Sequence, residues 1–372
     1  MRAAPLSPGF SAWLNLLRAG AAVLVLLSHW AYPRFTEGRW LAIRDWNLGS
    51  DAVVLFFVLS GLVIAFAAAE KDRGPGAFLF ARATRLWSVA LPALLVTFAA
   101  DRLGAALAPA AYDGWWYAPQ SLGVMLAAGL SFANEWGGLG LRLGTNGPWW
   151  SLSYEVAYYL LFAAALWLTG WRRAVVLALG LALAGLPVLL LMPCWLMGVA
   201  LYRALARGVP RSSGARAWGF ALLPFALYIA AQALGLPAFL ATLTEGALGP
   251  DYRLLLRFSD EVLWNTLLAA GVTAHLWGMA GLLRDAPLAR LARPAAWLAG
   301  GSFSLYLVHY PLLQLADAVL PEAGGVLRDA GLLALVTALC LVFAAVFERT
   351  LPGQRRALRR LYRPSARASA AT

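Results

Sequence analysis

The chain has 372 residues, 61% of them hydrophobic and 13% charged, with a mean hydropathy of +0.69 and a formal net charge of +12. A soluble domain carries about 25% charged residues; here apolar stretches recur from end to end, which excludes a soluble globular enzyme and predicts an all-α polytopic membrane protein. The basic excess sits in loops and at the C-terminal end, a pattern of membrane orientation and not of nucleic-acid binding.

In chain order, ten spanning helices are expected at 12–32, 49–69, 84–101, 148–169, 174–192, 193–207, 217–235, 261–283, 296–318 and 330–348. The first has no small-residue cleavage site after it and reads as a retained helix. Segment 121–134, "SLGVMLAAGLSFAN", falls short of the ~20 residues needed to cross and reads as re-entrant or interfacial, within a long outer loop. With both termini cytoplasmic, most of the 30 basic residues face inward. If 121–134 crossed, the groups at 172–173, 203–216, 284–293 and the C-terminal end would lie outside, against the positive-inside rule. Arg34, Arg39 and Arg44, in the first outer loop, run against the pattern. Residues 1–350 are expected to form one integral membrane domain and 351–372 a basic cytoplasmic tail that touches anionic lipid. Cys194 and Cys340 lie in apolar segments and imply neither a disulfide nor a metal site.

Several polar groups interrupt this apolar background. In the first helix, "NLLRAGAAVLVLLSHW" holds Arg18 and His29. Eleven residues make three turns plus about 20°, so both lie on one face, roughly 16 Å apart along the axis. Alone, Arg18 reads as a snorkelling helix-end arginine; His29 is either an interfacial anchor or a functional intramembrane group. Arg82 and Arg85 share a face at the inner end of the third helix, which suits forked phosphate recognition or plain orientation charge. In "NGPWWSLSYEVAYYLL", Ser151 and Glu155 share a face; a carboxylate there needs a partner or a wet cavity. In "GSFSLYLVHYPLL", Ser302, Tyr306 and His309 share a face. His29, Glu155 and His309 are expected in one layer toward the outside, whereas His275 reads as structural.

These stretches together resemble the membrane acyltransferase-3 family. The landmarks occur in the family's order: Arg18 and His29 with ten residues between, "AVVLFFVLSGLVIA" at 52–65, Arg82 and Arg85, "GPWWSLSYE" at 147–155, "SLYLVHYPL" at 304–312 and "FERT" at 347–350. The resemblance covers nearly the whole chain. Val156 stands where many members carry a second acid, Val308 where tryptophan is common, and Thr350 where proline often stands. No extracytoplasmic hydrolase-like domain, present in some members, is expected here.

The resemblance implies O-acyl transfer, usually of acetyl, from coenzyme A to a hydroxyl of a cell-envelope carbohydrate or lipid-linked sugar, in the cytoplasmic membrane of a bacterium. Acyl-coenzyme A is then a donor substrate and no cofactor or metal is held permanently. In that reading His29, Glu155 and His309 are the catalytic candidates. Arg18, Arg82 and Arg85 hold the donor's phosphates, and Ser151, Ser153 and Tyr306 contact substrate. A histidine titrates near neutral pH and can take the hydroxyl proton or carry the acyl group itself. Glu155 orients His29 or orders its own helix start. Acylation of a small glycosylated metabolite, and a glycan or lipid transporter without chemistry, are the alternatives.

Overall fold

The computed structural model describes residues 6–209, 211–285, 288–320 and 324–361, with side chains through 357. Arg2 and residues 362–372 of the basic tail lie outside the described residues. Helix accounts for 82% of the structure and, among the described residues, no β-strand forms. The helices are α1 (Pro8–Trp30), α2 (Leu48–Phe66), α3 (Pro75–Leu107), α4 (Leu122–Ser131), α5 (Trp150–Trp167), α6 (Gly170–Ala184), α7 (Met192–Ala206), α8 (Gly214–Ala233), α9 (Leu236–Leu248), α10 (Val262–Leu282), α11 (Ala292–Ala299), α12 (Ser302–Val319), α13 (Val326–Phe343) and α14 (Leu351–Leu361). Short turns join them, and α2 and α13 each end in a π-helical turn, Ala67–Lys71 and Ala344–Glu348.

Local signals explain most boundaries. Ser7 caps α1, accepting from the Phe10 N–H at 3.1 Å, with Pro8 in the first turn. The third helix begins at Pro75, not at residue 84, because Gly74 at φ +108° breaks the chain and Pro75 starts the helix. Arg82 and Arg85 then lie inside α3, as good helix formers can. The segment expected as one helix at 174–192 is divided by Gly185 at φ +81°. The one expected at 296–318 is divided at Gly300–Gly301. Helix α9 has no counterpart among the expected helices. Segment 121–134 forms the 10-residue α4, too short to span.

Among the described residues, six helices are long and apolar enough to cross a membrane: Pro8–Trp30, Leu48–Lys71, Pro75–Leu107, Leu186–Ala206, Gly214–Ala233 and Val326–Ala357. Helices α5, α10 and α12, of 18, 21 and 18 residues, have the length but less apolar character. They carry the polar side chains that the interior uses, such as Glu155, His275 and His309.

Helix α1 packs on α2, α11 and α12, and α3 packs along α12. The closest crossing is between α2 and α7. A Cβ on Gly61 would collide with the Trp195 carbonyl, and one on Gly198 with the Val58 carbonyl. Small residues on both sides let the two backbones touch, the usual means of helix association in lipid. By contrast α5 meets α2 and α3 only sparsely, which leaves space between them. Helix α14 lies against α3, where Arg355 donates to Thr84 Oγ1 and to the Ala81 carbonyl.

The α2–α7 crossing generates a stability prediction. Gly61→Val should destabilise the detergent-solubilised protein by ~2 kcal/mol, since overpacking a tight contact costs about 1–3 kcal/mol. Gly219→Ala, where a new Cβ meets nothing within 4 Å, should not lower the melting temperature. Equal melting temperatures for both variants would refute the close crossing.

Candidate active site

Two helices bring two histidines together. The His29 Nδ1 of α1 and the His309 Nε2 of α12 are 2.9 Å apart, with ring centroids at 5.0 Å. Their tautomers follow from the partners of His309. Its Nδ1 lies 2.9 Å from the carbonyl oxygens of both Leu305 and Tyr306. Carbonyls only accept, so Nδ1 carries the proton and a neutral His309 presents the Nε2 lone pair. His29 must then donate from Nδ1, which leaves the lone pair on its Nε2. Tyr32 stacks beside His29 at 5.9 Å and Tyr310 meets it edge-on at 4.8 Å.

The sequence "HYP" makes the α12 half of this arrangement. Pro311 has no N–H, so the Leu307 carbonyl loses its helical partner. Asn146 Nδ2 donates to that carbonyl at 2.8 Å and to Thr97 Oγ1 at 3.0 Å. One turn of loop is thereby fastened to α3 and α12. Asp101 completes the anchor, accepting from the Thr145 N–H at 2.9 Å and its hydroxyl at 2.5 Å.

His29 lines a cavity of about 210 Å³, whereas His309 is fully buried behind it. The cavity wall pairs aromatic faces with polar groups. Trp150 and Phe258 stack at 4.5 Å and 4°; Trp115 and Arg142 line the same space. Arg44 lies 4.1 Å from the Tyr32 ring centroid and donates to Ser28 Oγ at 2.8 Å. Glu261 accepts from Asn47 Nδ2 at 2.8 Å.

A second cavity, of about 190 Å³, holds Arg18, Arg82 and Arg85 together with Ser60, Glu155 and Tyr159. Glu155 accepts from the Ser60 hydroxyl and, at 2.5 Å, from the Tyr159 hydroxyl. Arg82 Nη2 pairs with Asp72 at 2.8 Å. Arg18 faces Glu348 at 3.8 Å, and the other oxygen of Glu348 accepts from the Ser304 N–H at 2.8 Å, near the start of α12.

The structure therefore divides the residues singled out in the sequence. His29 and His309 meet. Arg18, Arg82 and Arg85 share one cavity, and Ser302 lines it too. Glu155 is not in the histidine layer. One turn of helix carries it into the arginine cavity, where Ser60 and Tyr159 satisfy its carboxylate, and His309 holds His29 instead. Ser153 is a second correction. It is fully buried, accepts from the Glu135 N–H at 3.2 Å and lines neither cavity; with the Trp136 indole on its carbonyl at 3.0 Å it ties the loop after α4 to α5. His275 is structural, held between Trp13 and the Ala221 carbonyl. Residues with no earlier role are Ser60, Tyr159, Arg44, Trp115, Arg142 and Glu261. Only Arg44 left a signal in the sequence, as a basic residue on the wrong side of the orientation pattern.

A family profile described as an acyltransferase domain, acyltransferase-3, matches residues 11–347. No curated protein and no solved structure gives a match.

The geometry predicts unequal histidine reactivity. Diethyl pyrocarbonate should modify His29 well before His309 and His275, which are buried. Peptide mass spectrometry over a time course reads the order, and equal or faster labelling of His309 would contradict the assignment of the cavity-facing ring.

Proposed function

The chain belongs to the acyltransferase-3 family and is a multi-pass membrane acyltransferase, and from that premise we propose that it moves an acyl group, acetyl first, from coenzyme A to a hydroxyl of a cell-envelope carbohydrate or lipid-linked sugar. The observation that carries this reading is the His29 ring, whose Nδ1–H is engaged by His309 while its Nε2 is left to act at the wall of a cavity.

Counting the 15-residue α6 with the nine helices of spanning length gives ten spans; with both ends in the cytoplasm of a bacterial cell, the arginine cavity lies on the inner side and the His29 cavity toward the outside. Residues 1–350 act as one membrane domain and 351–372 as its basic cytoplasmic tail. Coenzyme A is a polyanion, and Arg18, Arg82 and Arg85 supply forked cations for its phosphates. Arg18 and His29 are roughly 16 Å apart along α1, a gap that an extended pantetheine arm bridges. The outer cavity suits a sugar, since aromatic faces pack on its C–H surfaces while Arg44, Arg142, Glu261 and Asn265 offer hydrogen bonds to hydroxyls.

In this mechanism the acceptor hydroxyl attacks the thioester carbonyl carbon and His29 Nε2 takes its proton. The tetrahedral intermediate collapses, the C–S bond breaks, and the coenzyme A thiolate takes the proton back from the imidazolium. The products are the O-acyl ester and free coenzyme A, and His29 returns to its starting tautomer. His309 accepts from His29 Nδ1–H throughout and fixes the ring's orientation.

Acyl transfer from acetyl-coenzyme A to a candidate glycan, at matched membrane insertion, tests the reading. His29→Ala and His29→Gln should each lose at least ~10²-fold in rate, the usual contribution of general base catalysis. His309→Gln should lose less, because an amide oxygen can still accept from His29 Nδ1–H. Arg82→Ala and Arg85→Ala should raise the donor concentration needed for half-maximal rate, with Arg→Lys a partial rescue. Near-normal turnover in the His29 variants would overturn the assignment. For the topology, cysteine labelling at position 172 from the inner side only is expected; labelling from outside would reverse it.

A further inference from the structure

Three residues line both cavities, Val53 and Phe57 of α2 and Tyr306 of α12. They form the partition between the arginines and His29. All three are nearly inaccessible, at 6%, 2% and 6% exposure. Tyr306 is pinned through its hydroxyl, 2.7 Å from Ser151 Oγ and 3.1 Å from the Pro148 carbonyl. Its ring packs edge-on against Phe56 at 5.8 Å. Phe57 is wedged edge-on between Trp150 at 6.1 Å and Tyr158 at 5.8 Å. The carbonyl of Tyr306 also accepts from His309 Nδ1 at 2.9 Å, so the partition and the histidine pair share one rigid turn of α12.

We propose that Val53, Phe57 and Tyr306 form the seat of the transferred acyl group and set its length. The inference rests on the reading that an acyl-coenzyme A donor enters through the arginine cavity. A thioester presented to His29 from that side must thread this neck, so its acyl tail lies against these three side chains. A longer tail overpacks the neck, which well-packed side chains resist. Short chains are accepted, and the chain-length limit is a property of side-chain volume at these positions.

The test needs no acceptor. Isothermal titration of the purified full-length protein gives dissociation constants for acetyl-, butyryl-, hexanoyl- and unacylated coenzyme A, each acyl value being divided by the unacylated one for the same protein. The wild type should bind hexanoyl-coenzyme A no better than acetyl-coenzyme A. Phe57→Ala and Val53→Ala should shift the hexanoyl-to-acetyl ratio about tenfold toward hexanoyl, since one or two newly accommodated methylenes carry that much discrimination. Phe57→Leu, a milder change, should move the ratio in the same direction if Phe57→Ala fails to fold. An unchanged ratio in the folded variants overturns the seat while leaving the donor reading intact. Absence of binding by any coenzyme A form to the wild type overturns the donor reading itself, and the seat with it.

Discussion

A hydrogen bond between two neutral imidazoles, His29 and His309, is the contact on which the rest of the arrangement depends. In a low-dielectric interior an unpaired ring nitrogen is costly, and each nitrogen of the inner ring is matched. The Nδ1 of His309 meets two helix carbonyls, and its Nε2 meets His29. No carboxylate is needed to fix the proton on Nδ1 of His29, because the backbone of α12 has already chosen the tautomer of its partner. The site is thus a relay of hydrogen-bond polarity from main chain to reactive atom. Helix α12 provides it only because Pro311 and Asn146 together hold that turn in place.

Charge is distributed over both cavities. Arg18, Arg82 and Arg85 line one, and Arg44 and Arg142 line the one that holds His29. Glu155 belongs to the first, where Ser60 and Tyr159 surround its oxygen. There it lies beside guanidinium groups that have carboxylate partners of their own, Arg82 with Asp72 and Arg18 with Glu348. Glu348, at the π-helical end of α13, links Arg18 to the first turn of α12, and so couples the arginine cavity to the helix that carries His309.

The loop between α1 and α2 shows how basic residues can be a poor guide to orientation. Arg39 makes a two-pronged contact with Asp329, both distances 2.7 Å. Arg34 donates to the Tyr310 hydroxyl at 2.7 Å and stacks over Phe35 at 4.1 Å. Arg44 is spent on Ser28 and Tyr32. These cations are partnered within the protein, so they are poor topological signals; the positive-inside rule concerns charges facing the water and lipid.

Much was legible in the amino-acid sequence alone. Apolar runs dictated an all-helical membrane protein, the length of 121–134 ruled out a crossing there, and helical periodicity put Arg18 with His29, Ser151 with Glu155, and Tyr306 with His309 on common faces. Periodicity relates residues within one helix and is blind to how helices rotate and slide against each other. The expected depth of each helix put Glu155 in the histidine layer, and the family resemblance put Ser153 among substrate contacts. Tertiary packing alone decided that His29 meets His309, that Glu155 turns to Ser60 and Tyr159, and that Val53, Phe57 and Tyr306 line both cavities. Those outcomes depend on close helix crossings such as Gly61 against Trp195 and on a single proline-freed carbonyl in α12, contacts between residues more than a hundred positions apart whose pairing no local pattern encodes.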